Sequence, residues 1–328
     1  MRRKVGFFSI LLIAGGLRAQ QAPIRGPVEA YTFDAPTMSF RAVVGSLGSS
    51  SLGPALVEGI EYGTVAPRRD YAIAVRNGTV ILVTGLGSGQ VAAAQLSGAF
   101  STPEGVAWSE DASLAVLYSR AGEWIQPVRG LPAAPETGSP LSLSSLGGSL
   151  SFVAVSGRGA HIAIGMAGET GGLFEVTAEQ NIMPLLTLRK PVAATFSADG
   201  GTLYFLDGSS RQLSALNWQQ RTSQTLPLDN VQDPFALGAV RDGVRGEIVY
   251  VASRSDRRLA SYEASTGAAG ATVELDFEPT GIEPLGRQSF SLAARAANSD
   301  PLWSFVTLPQ PAIYFVPATP LPTPGGQE

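Results

Sequence analysis

Cysteine is missing from this 328-residue chain, which excludes disulfides, thiolate metal sites and lipid attachment through a cysteine together. Packing alone must hold the fold. Histidine is nearly missing too. His161 is the only one, so chemistry that needs two imidazoles is excluded, and in the run Ala160-His-Ile-Ala-Ile164 its alternation with Ile162 and Ile164 places it on a strand face. Charged residues make up 15% of the chain against a usual ~25%. Without a basic face or tail, nucleic acid is not an expected partner. There is no P-loop, no G-x-S-x-G nucleophile elbow and no dinucleotide fingerprint between a strand and a helix.

What is abundant is glycine and proline, 38 and 23 residues in a chain that is 44% apolar. That composition fits many short strands joined by tight turns. Helix has no place to form, because no stretch keeps apolar residues at 3.6 spacing for three turns without Gly or Pro.

The N-terminus reads as an export signal. Arg2-Arg3-Lys4 is a positive n-region, residues 5–17 are apolar, and Leu17-Arg18-Ala19 resembles a small-residue cleavage site. Thirteen residues at 1.5 Å each cannot cross ~30 Å of hydrocarbon. The chain therefore divides into a signal peptide at 1–19, a short linker at 20–27, a repeat domain at 28–316 and a proline-rich tail at 317–328. Cleavage near Ala19 delivers the protein to the periplasm or the medium with no membrane span. It leaves 19 basic against 27 acidic side chains, a formal charge of −8.

One unit recurs through the body of the chain. Its clearest copy, residues 191–219, reads as an apolar strand, a polar turn at 197–201, a strand at 202–206, a turn at 207–210 and a strand at 212–216, with a fourth strand at 223–228. The same grammar appears at 103–129, 151–177 and 234–264, and more weakly at 59–84 and 281–307. The residue opening each first turn is Ala66, Ser109, Ser156, Ser197, Arg241 and Leu285, at spacings of 43, 47, 41, 44 and 44. A period near 44 matches a four-stranded propeller blade. Asn77-Gly78 is a type I′ hairpin signal between two strands of the first copy.

The expected fold is thus an all-β propeller of four-stranded blades. Strands are also expected at 30–33, 40–44 and 312–316, outside the six repeats. If an N-terminal strand completes the last blade, the ring has six blades closed by N- and C-terminal strands, the favoured count. If the terminal strands build a blade of their own, it has seven.

The stretch FSADGGTLYFLDGSSRQLSAL resembles the S-P-D-G-x-x-L-Y-V-x-D core of bacterial YVTN, NHL and SMP-30 propeller repeats, which are WD40-like in outline. Pro103-Glu-Gly-Val-Ala-Trp-Ser-Glu-Asp resembles their P-x-G-V-A-x-S-P-D opening. Such repeats specify a fold and leave function open, since propellers serve as enzymes, scaffolds and binding surfaces.

In a propeller the segments leading into each first strand and the hairpins joining second to third strands share one face. The leading positions are Glu58, Glu104, Lys190, Asp233 and Glu278. The hairpins add Arg76, Arg120, Arg211, Arg254 and Arg257, with Glu169, Asp207, Asp256 and Asp300. These are the candidate binding-face residues for a protein, peptide or glycan, and no catalytic residue is assigned. A ring of carboxylates has the hard-oxygen chemistry of Ca²⁺; no other cofactor is expected. The alternative is a divalent-cation-dependent hydrolase, because Glu104-Gly105 resembles a metal-binding pair of SMP-30-like lactonases. That family has Asn where this chain has Val192-Ala193, which puts its cation in doubt. Trp108, Trp124, Trp218 and Trp303 are expected to wedge between blades.

Overall fold

The structure is a computed structural model, and it describes residues 26–46, 48–228, 231–286, 289–292, 302–307 and 310–318. The signal segment 1–19, Asp300 and residues 319–328 of the tail lie outside them.

The described strands form seven antiparallel sheets, each built from consecutive strands. Sheet 1 joins Val28–Asp34, Ser39–Val44 and Ser51–Glu58. Sheet 2 runs Tyr62–Val65, Ala72–Arg76, Thr79–Thr84, Ala92–Gln95. The first three strands of sheet 3 are Gly105–Trp108, Ala115–Ser119 and Trp124–Arg129, and two short segments share its outer edge. Sheets 4, 5 and 6 open with Ser149–Val155, Pro191–Phe196 and Pro234–Asp242. Sheet 7 runs from Glu283–Pro284 to Ala312–Val316.

The preferred count of six is therefore corrected to seven. Among the described residues the N- and C-terminal strands also do not share a sheet: residues 28–44 stay in sheet 1, and Ala312–Val316 stays in sheet 7. A single parallel bridge, Leu52 to Ala318, is the only sheet-type pairing between the two among the described residues. The sequence reading missed Ser51–Glu58 because Gly53-Pro54 lies inside it, and proline cannot donate to a ladder. The strand forms by bulging, with register shifts on both sides of Arg41, opposite those residues. With that third strand the N-terminal segment becomes a sheet of its own.

Neighbouring sheets meet face to face through apolar clusters. Sheets 2 and 3 share one around Ile73, Leu82, Leu117 and Val128. Another joins sheets 4 and 5 through Phe152, Leu173, Phe205 and Trp218. Sheets 1 and 7 pack through Ala30, Val43, Leu52, Leu285, Leu302 and Val316. Close approach of sheet 1 to sheet 2 depends on Gly63, where a Cβ would stand 2.5 Å from the Phe40 ring. Asn77 and Gly78 both take positive φ, 50° and 68°, as the type I′ hairpin requires.

The residues that anchored the repeat share a bonding pattern. In sheets 3, 4 and 5, the amide of the anchoring serine donates to the carbonyl five residues on: Ser109 to Leu114, Ser156 to His161, Ser197 to Thr202. Each serine Oγ accepts the return amide bond from that same partner at 2.9–3.0 Å. All three serines are buried. The sequence period of about 44 is the spacing of these turns.

Sheet 1 differs from the rest in direction. Past the end of its first strand, the Met38 carbonyl accepts the Ile60 amide just ahead of sheet 2's first strand. Its beginning, Val28 to Ala30, instead borders a small pocket with Arg68–Asp70 and Leu285–Gly286, the turns after the first strands of sheets 2 and 7. Val28–Asp34 thus runs opposite to the first strands beside it. Its three strands have the directions of a blade's second, third and fourth strands. Among the described residues no strand takes the innermost place in sheet 1.

Candidate functional site

The first strands surround a central channel whose cavity measures about 740 Å³. Gly63–Val65, Val106–Trp108, Val153–Val155, Ala194–Phe196 and Leu237–Val240 border it from sheets 2 to 6, and Pro284, Leu285 and Phe290 from sheet 7. The bordering segments carry mostly small or apolar side chains, but backbone groups, hydroxyls and the Glu283 carboxyl make the wall as polar as it is apolar.

The ends of the cavity differ. At one lie Asp34–Thr37 of sheet 1. Asp34 Oδ2 accepts from Arg41 Nη1 at 2.9 Å and from Thr37 Oγ1 at 2.7 Å. Arg41 is 2% exposed, and its Nε and Nη2 donate to the carbonyls of Gly53 and Leu52. Burying this guanidinium is tolerable because a carboxylate and two carbonyls meet it.

At the other end the strand 1–2 turns interlock. Arg68 Nη1 pairs with Glu110 of sheet 3 at 2.7 Å, and its Nε donates to Gly286 of sheet 7. The Asp111 amide donates to Gly157 of sheet 4. The Ala198 amide of sheet 5 donates to Glu247 Oε1 of sheet 6 at 2.9 Å. Burial, with Asp199 and Glu110 nearby, pushes the Glu247 carboxyl above the usual carboxylate range. Trp108 Nε1 donates to Thr64 Oγ1 across the same rim.

Among the described residues bordering the cavity there is no His, Lys, Asn or Gln. Both bordering arginines are tied to carboxylates. The hollow has room for a guest that bonds to backbone and hydroxyl groups as well as to apolar side chains.

The ten residues singled out from sequence lie elsewhere, on the face of the second-to-third-strand hairpins, and none borders the cavity. Most serve their own turns. Glu104 accepts from Ser119 Oγ, the Arg120 amide and the Ala121 amide, and these bonds hold its carboxyl below the usual range despite partial burial. The Lys190 carbonyl accepts the Gly208 amide, and the Asp233 carbonyl the Arg254 amide. Glu58 ends sheet 1 opposite Ser39. Arg76 closes the Asn77-Gly78 hairpin opposite Thr79. Arg120 lies over the Tyr118 ring; Arg211 and Arg257 occupy positive-φ hairpin positions. The structure does bring Arg254 and Glu278 together, at 3.4 Å, with the guanidinium over Phe235. Asp207 and Asp256 likewise accept bonds from Ser209 and Ser253 of their own hairpins. Among the described residues no three of His, Asp and Glu gather as metal ligands.

Trp108 and Trp218 sit between sheets as expected, whereas Trp124 is 41% exposed. His161 lies one residue ahead of its strand, its ring 5.1 Å from that of Trp218. Sequence reasoning missed Asp34, Arg41, Arg68 and Glu110. The one signal for Arg41 was a charge inside the apolar run 40–44.

No protein-family model matches the chain, and no curated protein does. Solved structures do resemble it. A functionally unknown protein from Desulfotomaculum acetoxidans DSM 771 has TM-score 0.63 at 13% identity, over 89% of this chain and 100% of that one. A chain of a mitotic checkpoint complex has TM-score 0.54 at 13% identity, over 97% and 90%. A chain of a nidogen/laminin complex has TM-score 0.50 at 13% identity, over 77% and 95%. At these identities the likeness establishes the β-propeller fold. No helix among the described residues is long and apolar enough to cross a membrane.

Proposed function

We propose that this protein is an exported binding module that seats a segment of a protein or peptide in its central channel. One observation carries the reading: a central cavity of about 740 Å³ whose wall mixes apolar side chains with polar groups and whose bordering arginines are already neutralised by Asp34 and Glu110. A rigid ring of sheets around a hollow that offers both apolar side chains and polar groups suits recognition. Propellers found in nidogen/laminin and mitotic checkpoint assemblies support that use. In this reading the repeats are of the YVTN, NHL and SMP-30 style. The signal segment is cut near Ala19, and the module works in the periplasm or the medium.

Bulk placed at the two ends of the channel tests the reading. Pro36→Trp and Ala198→Trp are expected to weaken partner binding at least tenfold, while Arg120→Ala and Arg211→Ala on the hairpin face leave it within twofold. The reverse pattern would move the binding surface to the hairpin face.

A further inference from the structure

We propose that Asn77 is a site of self-modification. The Gly78 backbone nitrogen displaces the Asn77 side-chain amide with the Glu61 carboxylate as base, and water then leaves aspartate and isoaspartate in its place.

Succinimide formation needs an asparagine followed by a residue whose nitrogen is unobstructed. Glycine satisfies that best, because it has no Cβ to crowd the attacked carbon. Asn77-Gly78 is the only Asn-Gly pair in the chain, and it forms the two-residue loop between Ala72–Arg76 and Thr79–Thr84. Both residues are exposed. A Cβ on Gly78 would meet nothing within 4 Å, so water reaches the reacting groups. The other asparagines among the described residues are worse placed. Asn181 and Asn217 precede the bulky Ile182 and Trp218, and the Asn217 side-chain oxygen already accepts the Gln219 and Gln220 amides.

A second observation is the partner of the Gly78 amide. It donates to Glu61, at 3.3 Å from each carboxylate oxygen. Glu61 stands just ahead of Tyr62–Val65, held there because its own amide donates to the Val75 carbonyl of the same hairpin. The turn does not need the Glu61 bond for closure, since Arg76 and Thr79 already pair across the loop. What the bond does is set a base on the one nitrogen that must lose a proton, which is the geometry of general-base assistance.

The atoms balance with water as the only co-reactant. The Gly78 nitrogen attacks Asn77 Cγ while its proton passes to Glu61. The Cγ–Nδ2 bond breaks, Glu61 returns the proton to the leaving nitrogen, and ammonia departs from a five-membered succinimide. Water opens the ring at Cγ to give aspartate, or at the main-chain carbonyl to give isoaspartate. Either product sets a second negative charge beside Glu61. Isoaspartate also lengthens the loop backbone by one carbon, which the type I′ turn does not accommodate.

The test ages the purified chain in neutral water enriched in heavy oxygen, beside the Glu61→Gln variant and samples of both kept unfolded in guanidinium. Peptide mapping with isoaspartate detection reads each asparagine. The folded chain should convert Asn77 at least tenfold faster than Asn181 and Asn217, with the label in the new carboxyl group. Glu61→Gln keeps an acceptor oxygen for the hairpin and removes the base. It should slow Asn77 at least threefold in the folded chain and leave its rate in the unfolded chain within twofold. A folded chain that keeps Asn77 intact while the unfolded chain converts it would overturn the site. So would a folded Glu61→Gln rate equal to or above that of the unaltered chain, which would make the carboxylate a clamp on the hairpin.

Discussion

Arg68 in sheet 2 and Gly286 in sheet 7, 218 positions apart in the chain, are joined by a hydrogen bond of 3.4 Å from guanidinium Nε to the carbonyl. Sheet 1 lies between these two sheets in the ring, yet on this face they touch each other. Among the described residues no strand 1–2 turn of sheet 1 stands between them. Arg68→Ala removes this bond and the ion pair to Glu110. At more than a third exposed, the pair contributes ~1 kcal/mol or less. The larger expected effect is local: the Leu285 amide, which donates to Ser289, should exchange its hydrogen faster while amides in sheets 3 to 5 do not change.

Arg41 is the opposite case, a buried cation bonded to a carboxylate and two carbonyls. Arg41→Met leaves the Asp34 carboxylate without its pair and should cost ~3–5 kcal/mol in urea unfolding. The double variant Asp34→Leu, Arg41→Met should recover part of that loss, because no uncompensated charge remains.

The serine turns provide a repeat-by-repeat measure. Ser197→Ala strips the Thr202 amide of its bond to Oγ and the Asp199 carboxylate of one of its two donors, the Gly201 amide being the other. The same substitution at Ser109 affects Leu114 and Asp111. Each should lower unfolding free energy by ~1–3 kcal/mol, and the two effects should add within ~0.5 kcal/mol because the sites share no partner.

Glu247 sets a pH dependence of stated sign. Its carboxyl titrates higher folded than unfolded, so the folded state holds the proton more tightly and stability falls as pH rises through the window above the ordinary glutamate range. Glu247→Gln retains an acceptor for the Ala198 amide and has no charge to bury. It should stabilise the protein at pH 7, with the advantage disappearing below pH ~4. Paired unfolding curves at the two pH values check this.

Glu104 tests the calcium expectation. Its three bonds to residues 119–121 give the side chain a structural role at its own hairpin. Glu104→Ala should lower stability by ~1 kcal/mol, equally in EDTA and in excess Ca²⁺. A calcium-dependent gain in the unaltered protein that disappears in the variant would assign Glu104 to a cation instead.

The sequence carried the architecture through features with a direct physical cause. Buried serines that close five-residue turns produced the period, and Asn77-Gly78 produced its hairpin. Two strands of sheet 1 were legible, but its third was hidden because Gly53-Pro54 disguises a bulged strand, and a strand's direction in the ring has no trace in its own composition. The channel residues were hidden for a related reason. Asp34, Arg41, Arg68 and Glu110 act across sheets, through contacts that exist only once the ring has formed. The charges that do stand out along the chain sit at hairpin tips, where turns favour polar residues regardless of any ligand.

Photo-crosslinking is the most direct test of the channel as the binding site. A benzoylphenylalanine is placed at Thr37 or Ala198, at the two ends of the cavity, or at Thr222, exposed on an outer strand of sheet 5. Irradiation in the compartment where the protein resides should link the same partner from Thr37 and Ala198 and nothing from Thr222. Crosslinks from Thr222 alone, or different proteins from the two ends, would contradict a guest seated in the channel.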